Sequence, residues 1–380
     1  MKLRGIKEIK NLKGKRVLLR LGLNAAIKNG KVAGGYRIKQ VVPTIKYLKN
    51  KGAKVIVLGH IGRSKNETLR PVADYINRRT KTGFVPNLHD KNLSNIIENM
   101  KEGTALMLEN LRSDKGEVDN SPEFAKYLAS LGDVYVNDAF PVSHRKHASI
   151  VLLPKLLPSY IGLQFEREIK NLSMVIKPPR PFLFILGGAK PSTKIPLIKK
   201  FLKEADHVFV GGALANNFFK YMGYETGKSL VEKGLFNLKP LINNKKLLLP
   251  ADVVIESKNF ITKKSGSLSR NEIIADAGDC TISELEKLVK KSKFILWNGP
   301  LGNYEKGFDR ATVRLLKILA KSNAKTIIGG GDTLTVAFNL KLHNKFTFVS
   351  TGGGAMLDFL ADGKLPGIDA IDKSQIKIHI

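Results

Sequence analysis

The segments "GGAKPSTK" (187–194) and "IIGGGDT" (327–333) carry residues suited to phosphate chemistry. Lys190 and Lys194 stand four apart at an expected helix start, so both ammonium groups can face one ligand. Glycines let backbone N–H groups approach a phosphate chain, and the helix N-terminus that follows favours anions. Asp332, directly after three glycines, is placed to hold Mg²⁺ bound to phosphate oxygens. Its plainer reading is an ordinary helix N-cap. A second set is basic and planar: Asn24, His60 and Arg63 of "GHIGR", Arg112 of "ENLR", and His144, Arg145 and His147 of "SHRKH". Each follows an apolar run, and Arg37 opens an amphipathic one. Arginine's fork of donors suits phosphate and carboxylate. A single such arginine reads as a surface ion-pair partner. Four at successive strand ends read as a site for a small, multiply anionic substrate. Phosphoryl transfer between that anion and a nucleotide would rely on positioning and charge neutralisation.

These residues need strands that end together. "RVLLRLGL" (16–23), "KVIVLG" (54–59), "TALMLE" (104–109) and "DVYVND" (133–138) read as strands. Residues 37–52, 71–79 and 121–130 read as the helices between them, the last with a Ser-Pro-Glu start. Alternation of this length predicts βαβ units and a parallel sheet. Residues 163–177 read as one charged helix followed by "PPRP", a connection between domains. Four later segments (181–190, 207–215, 326–334 and 346–356) share one plan, an apolar strand, then glycines, then a helix start. Residues 294–305 form a strand entering a Gly-Pro loop. In open α/β sheets ligands sit beyond the carboxyl ends of the strands. The expected fold is therefore α/β, two doubly wound parallel-sheet domains joined by a hinge helix. "GYETGKS" (223–229) imitates a phosphate-binding P-loop. It has three residues between its glycines instead of four and follows a helix, so it is set aside.

The chain has 380 residues, 43% of them hydrophobic, enough for two cores. Cys280 is the single cysteine, which leaves no internal disulfide and fits a reducing cytoplasm. No apolar run is long enough to span a membrane, and the charged N-terminus does not read as a signal peptide. Lysine and arginine total 64 against 33 acids, a formal charge of +31. That balance is compatible with nucleic acid, an anionic surface, acidic substrates or simply solvated lysines.

The motifs resemble those of the phosphoglycerate kinase family over nearly the whole chain, in order. "GHIGRSK", "LENLRSDKGE", "DVYVNDAF" with "SHRKHAS", "GGAKPSTK", "GKSLVE", "LWNGPLG", "GGGDT" and "STGGGA" are all similar to family signatures. The resemblance implies reversible phosphoryl transfer between 1,3-bisphosphoglycerate with ADP and 3-phosphoglycerate with ATP. It implies a glycerate-phosphate site at Asn24, Arg37, His60, Arg63, Arg112 and Arg145, with Arg37 reaching the transferring group. Lys190 and Lys194 would stabilise that group, and Gly352 to Gly354 (Gly353 and Gly354 among the catalytic positions) would offer it a helix N-terminus. Gly278, Glu305, Gly330, Gly331, Asp332 and Thr333, together with Lys194, would hold the nucleotide, with Mg²⁺ at Asp332. The implied domains are 1–165 for the glycerate phosphate, a linker helix at 166–180, 181–365 for the nucleotide, and a tail at 366–380 folding back on the first. The two domains would close about the hinge, in a cytoplasmic monomer with no membrane and no obligate nucleic-acid partner.

The departures cluster. Where the family has an aspartate that orients the glycerate hydroxyl, "RLGLNAA" has Gly22. "AGGY" (33–36) replaces polar residues ahead of Arg37, Pro141 stands for the glycine after "NDAF", and Thr193 stands for a common aspartate. Two alternatives stay open at this stage: a catalytically reduced, nucleotide-binding paralogue with a regulatory or binding role, and a basic nucleic-acid-binding protein.

Overall fold

The apolar runs form parallel strands buried on both faces, which is why they read as continuous hydrophobic sequence rather than alternation. The structure, a computed structural model, describes residues 3–234, 236–257 and 259–376. It divides into two units, residues 1–170 with 362–380, and residues 171–361.

In the first unit β1 (Arg16–Leu21), β2 (Lys54–Leu58), β3 (Thr82–Val85), β4 (Ala105–Leu108), β5 (Val134–Asp138) and β6 (Ser159–Ile161) make one sheet. Their order is β3-β4-β2-β1-β5-β6, every pair parallel. The chain works outward from β1 on one side and then crosses to β5 on the other, so the crevice between β1 and β5 is a topological switch point. Helix α1 (Tyr36–Asn50) buries Ile38, Val41, Val42, Ile45 and Leu48, the spacing of one helical face.

The expected single helix over 163–177 is two elements. An α-helix, α2 (Leu163–Leu172), gives way to a 3₁₀ turn at Ser173–Ile176.

The second unit carries β7 (Phe182–Leu186), β8 (His207–Val210), β9 (Leu247–Leu248), β10 (Asp252–Ile255), β11 (Thr262–Lys264), β12 (Ile274–Ala277), β13 (Phe294–Asn298), β14 (Lys325–Gly329) and β15 (Phe348–Val349). The main sheet runs β9-β8-β7-β13-β14-β15, all parallel, with its switch point between β7 and β13. A small antiparallel sheet, β11-β10-β12, stands beside it. Helices α3 (Pro191–Glu204), α4 (Gly331–Asn339) and α5 (Gly354–Asp362) follow β7, β14 and β15. Both parallel sheets agree with the fold class expected from the sequence.

Helix α6 (Pro366–Ile376) belongs to the first unit and seats against residues 143–155. A Cβ on Gly367 would stand 2.9 Å from both Ile150 and Ser143, and Gly367 N donates to the Ser143 carbonyl at 2.9 Å. Among the described residues no helix is long and apolar enough to cross a membrane.

One core carboxylate gives a pH test. Asp138 is fully buried, accepting from Thr44 Oγ1 at 2.6 Å and Phe165 N at 2.8 Å. Burial pushes its pKa up to about 6, the hydrogen bonds opposing only in part. With the folded pKa raised, the stability it contributes is fully present below about pH 4 and is lost as pH rises through 6. An asparagine could accept from Phe165 N and donate to the Thr44 hydroxyl. Asp138→Asn is therefore expected to stabilise the protein at pH 8 by on the order of 1–3 kcal/mol, with the gain closing below pH 5. Urea unfolding of both forms across that range checks it.

Candidate active site

In the first unit the basic residues gather beyond the carboxyl ends of β1, β2, β4 and β5. Arg37 Nη1 donates to the Asn24 carbonyl at 2.9 Å, and Asn24 Oδ1 accepts from Gly62 N at 3.0 Å. Arg112 donates to the Gly62 carbonyl, which ties the loop after β4 to the loop after β2. Its Nε is buried with no partner. Burial, then the neighbouring charges of Arg145 and Arg20, lower the Arg112 pKa, and Arg63 adds to the effect against the opposing pull of Glu117. Cations that disfavour one another's charge form a site in which a bound anion relieves repulsion.

His60 is buried at the end of β2 beside Arg20. Burial and the charges of Arg20, Arg112, His147 and Arg145 drive its pKa far below the usual histidine value, so the ring is neutral. Arg63 and Arg145 are exposed.

Sequence reasoning missed two residues beneath this cluster. Arg20 and Glu117 are both fully buried, 3.6 Å apart, and Glu117 Oε1 also lies 3.7 Å from His147 Nδ1. The available signal was Arg20 itself, a charge inside an apolar parallel strand, which requires a buried partner.

The second unit has a cavity of about 500 Å³ at its switch point. Gly188 and Ala189 after β7, Gly212 after β8, Pro300 to Lys306 after β13, and Asp332 on α4 line it. Ile274, Ala275 and Leu301 bring apolar side chains to the lining, and Glu305 belongs to it as well.

The three glycines of "GGGDT" serve two purposes. A Cβ on Gly329 would strike Met356 Sδ at 2.3 Å, and one on Gly330, at φ +95°, would stand 2.9 Å from Gly299 N. These two permit close packing of chain against chain. A Cβ on Gly331 would meet nothing within 4 Å, so of the three only this one has open space beside its backbone.

Lys190 caps α3 in the left-handed region, at φ +67°. Lys194, one turn on, is buried with Nζ donating to the Gly187 carbonyl at 2.6 Å. Burial lowers its pKa to about 8, with Asp332 opposing and Lys190 assisting. Thr193 Oγ1 donates to the Lys190 carbonyl at 3.0 Å.

Other sequence-chosen positions fall elsewhere. Gly278 caps the helix Asp279–Lys291 outside the cavity lining, where a Cβ would stand 2.2 Å from the Asp252 carboxyl carbon. Ile273 and Ile274 line the cavity from that segment instead. Thr333 is fully buried with Oγ1 unpartnered, and Gly353 precedes α5, which opens at Gly354.

Comparison with known proteins decides the family. A family model described as phosphoglycerate kinase matches residues 6–364. The chain is 41% identical over 379 residues to the phosphoglycerate kinase of Dictyoglomus turgidum, covering 94% of this chain and 96% of that one. The chain belongs to the phosphoglycerate kinase family. The structure of phosphoglycerate kinase from Coxiella burnetii superposes with a TM-score of 0.81 at 34% identity, covering 98% of this chain and 99% of that one. The Pyrococcus horikoshii OT3 phosphoglycerate kinase gives a TM-score of 0.87 at 29% identity, covering 99% and 100%. The chain is thus a phosphotransferase of a glycolytic family, whose reaction is reversible exchange of a phosphoryl group between 1,3-bisphosphoglycerate with ADP and 3-phosphoglycerate with ATP.

Two departures from the family pattern prove to be one. A Cβ on Gly22 would stand 3.3 Å from Cγ and Cδ of Pro141, across the β1–β5 switch point. Proline thus occupies the space beside the missing side chain, an acid–glycine pair replaced by a glycine–proline pair. Gly22→Asp alone is expected to cost about 1–3 kcal/mol through overpacking. Gly22→Asp with Pro141→Gly should recover most of that loss and lower the KM for 3-phosphoglycerate by about tenfold, the worth of one hydrogen bond to a charged group. Thermal unfolding and steady-state kinetics on both variants test the coupling.

Proposed function

We propose that the first unit binds the glycerate phosphates through Asn24, Arg37, His60, Arg63, Arg112 and Arg145, and that the second binds ADP or ATP in its switch-point cavity. The observation that carries the first half is Arg112 set among Arg145, Arg20 and Arg63, where burial and then those neighbouring charges lower its pKa, a repulsion that a multiply charged anion relieves. For the second half it is the cavity lined by Gly188, Asp332 and Glu305 together with the apolar side chains of Ile274, Ala275 and Leu301.

In the synthetic direction a carboxylate oxygen of 3-phosphoglycerate attacks the γ-phosphorus of ATP. The bond to the β,γ-bridging oxygen breaks, and ADP leaves with that electron pair. Arg37, Lys190 and Lys194 are assigned to neutralise the charge on the transferring group, and the helix start at Gly353 and Gly354 to favour its negative charge. Gly330, Gly331 and Thr333 support the nucleotide phosphates, and Glu305 faces the ribose. Gly278 joins them in holding the nucleotide.

Among the described residues no group of three or more histidine, cysteine or acidic side chains could hold a metal by itself. One carboxylate, Asp332, fits a Mg²⁺ that arrives with the nucleotide, since Mg²⁺ takes one or two carboxylates beside phosphate oxygens. When bound, it would neutralise phosphate charge.

The protein is assigned as a cytoplasmic monomer. Its +31 charge leaves room for salt-sensitive, non-specific binding of polyanions. No comparison favours the regulatory or nucleic-acid-binding alternatives. Steady-state transfer from MgATP to 3-phosphoglycerate tests the proposal. Turnover that requires both substrates supports it, and ADP binding without turnover overturns it. Light scattering at 42.0 kDa tests the monomer.

A further inference from the structure

Arg20 lies within β1, in register with Leu58 on β2 and Asn137 on β5, and is fully buried. Its guanidinium is held on every side. Nε donates to Ser149 Oγ at 2.9 Å, Nη1 to the Leu21 carbonyl at 2.6 Å, and Nη2 lies 2.9 Å from His60 Nδ1 and 3.6 Å from Glu117 Oε1. Glu117 is fixed in turn by Ser149, whose N and Oγ donate to it at 2.9 and 2.7 Å.

Arginine keeps its protons and has no acceptor. In the 2.9 Å contact His60 Nδ1 must therefore accept, and a neutral ring that accepts at Nδ1 carries its proton on Nε2. Arg112, Arg145 and His147 add further positive charge around the ring and reinforce the neutral form.

We propose that Arg20 is a positioning residue that locks His60 as the neutral Nε2–H tautomer, so that His60 presents a fixed hydrogen-bond donor to an anionic oxygen of the substrate. The inference rests on the assignment of His60 to the glycerate-phosphate site. A donor of this kind gives up the attraction of a full charge. In exchange it does not titrate across neutral pH, and it adds no further cation to four crowded arginines.

The test uses the full chain labelled with ¹⁵N-histidine, with the His60 signals assigned by their loss in His60→Gln. The expected spectrum shows Nε2 protonated and Nδ1 as an unprotonated acceptor, unchanged from pH 5.5 to 8. A ring protonated at Nδ1, or one titrating near pH 6.5, overturns the lock while leaving the site assignment standing.

Arg20→Lys keeps a cation beside Glu117 but lacks the fork. It is expected to release His60 into titration and to raise the KM for 3-phosphoglycerate three- to tenfold at pH 8 with kcat within twofold. Should that variant fail to fold, Arg20→Met with Glu117→Gln removes both charges and serves in its place.

The deciding comparison is the same Arg20 change in a His60→Gln background, where glutamine supplies an N–H of its own. If Arg20 acts through His60, the change adds no further rise in KM there. An equal rise in both backgrounds overturns the proposal. So does a His60→Gln enzyme whose KM is unaltered, because it removes His60 from substrate binding.

Discussion

Lys194→Met is expected to lower kcat by about 100- to 1,000-fold, the usual loss when one preorganised group facing developing charge is removed. The lysine is poised by its surroundings. It is buried, its Nζ donates to the Gly187 carbonyl, and a Cβ on Gly188 would lie 2.8 Å from that nitrogen. Its pKa of about 8 reflects burial above all. Only the protonated form attracts phosphate. Below pH 8 the charge is already present and nucleotide affinity should be flat. As pH rises above 8 the free protein loses the proton, so affinity should fall by up to tenfold per unit until the higher pKa of the complex is reached.

Calorimetric titration of ADP from pH 6.5 to 9.5 should show proton uptake on binding near pH 8. Both the uptake and the slope should vanish in Lys194→Met. Stability should not suffer, because a desolvated ammonium is replaced by an apolar chain of similar length. Lys194→Arg should fail to restore activity, since the space beside Gly188 suits a compact point charge rather than a planar fork. A Lys194→Met enzyme with kcat within threefold of wild type would remove this residue from the transfer step.

The fold was legible because its main strands are continuous apolar runs with glycines at their ends. β1, β2, β7, β8, β13 and β14 read this way, while β4 and β5 are apolar runs closed by polar residues, Glu109 after one and Asn137 with Asp138 in the other. β3 and β9 did not. "TGFV" carries a glycine, "LL" has two residues, and both stand at a sheet edge, where one neighbour suffices and sequence is weakly constrained. The small antiparallel sheet was also unread, since one of its edge strands, "TKK", carries no apolar face.

Which residues sit together in the second unit was partly legible. Lys194 and Asp332 announce phosphate chemistry by type and spacing. Gly278, expected at the nucleotide, lies outside the cavity lining and close against Asp252. The relations hardest to read were pairs distant in sequence. Gly22 and Pro141 looked like two separate losses until the sheet placed them side by side, with a Cβ on Gly22 only 3.3 Å from the Pro141 ring. Glu117, in the charged stretch "SDKGEV", was not singled out, yet it is fully buried.

Glu117→Ala is expected to destabilise the first unit by about 3–5 kcal/mol, the cost of leaving a buried cation uncompensated. Glu117 accepts from Ser149 N and Oγ, and it is the carboxylate paired with Arg20. Burial works against its charge. His147, Arg20 and the Ser149 donors outweigh that and hold its pKa below the usual glutamate value. With the folded pKa lowered, this contribution is present above the unfolded pKa and is lost as pH falls through the folded one. The difference between wild type and variant should therefore be large at pH 7 and shrink in acid.

Arg20→Met with Glu117→Leu should cost clearly less than Glu117→Ala, because removing both charges leaves neither unpaired. The single tryptophan, Trp297, lies in β13 of the second unit and does not report on this event. Amide exchange in β1 and β5 does, and it should rise by two to three orders of magnitude in Glu117→Ala if about 3–5 kcal/mol is lost. If the double variant exchanges as fast as the single, the pair is held by packing and hydrogen bonds rather than by charge. The crowded arginines above it would then owe their arrangement to the phosphate they bind, not to the acid beneath them.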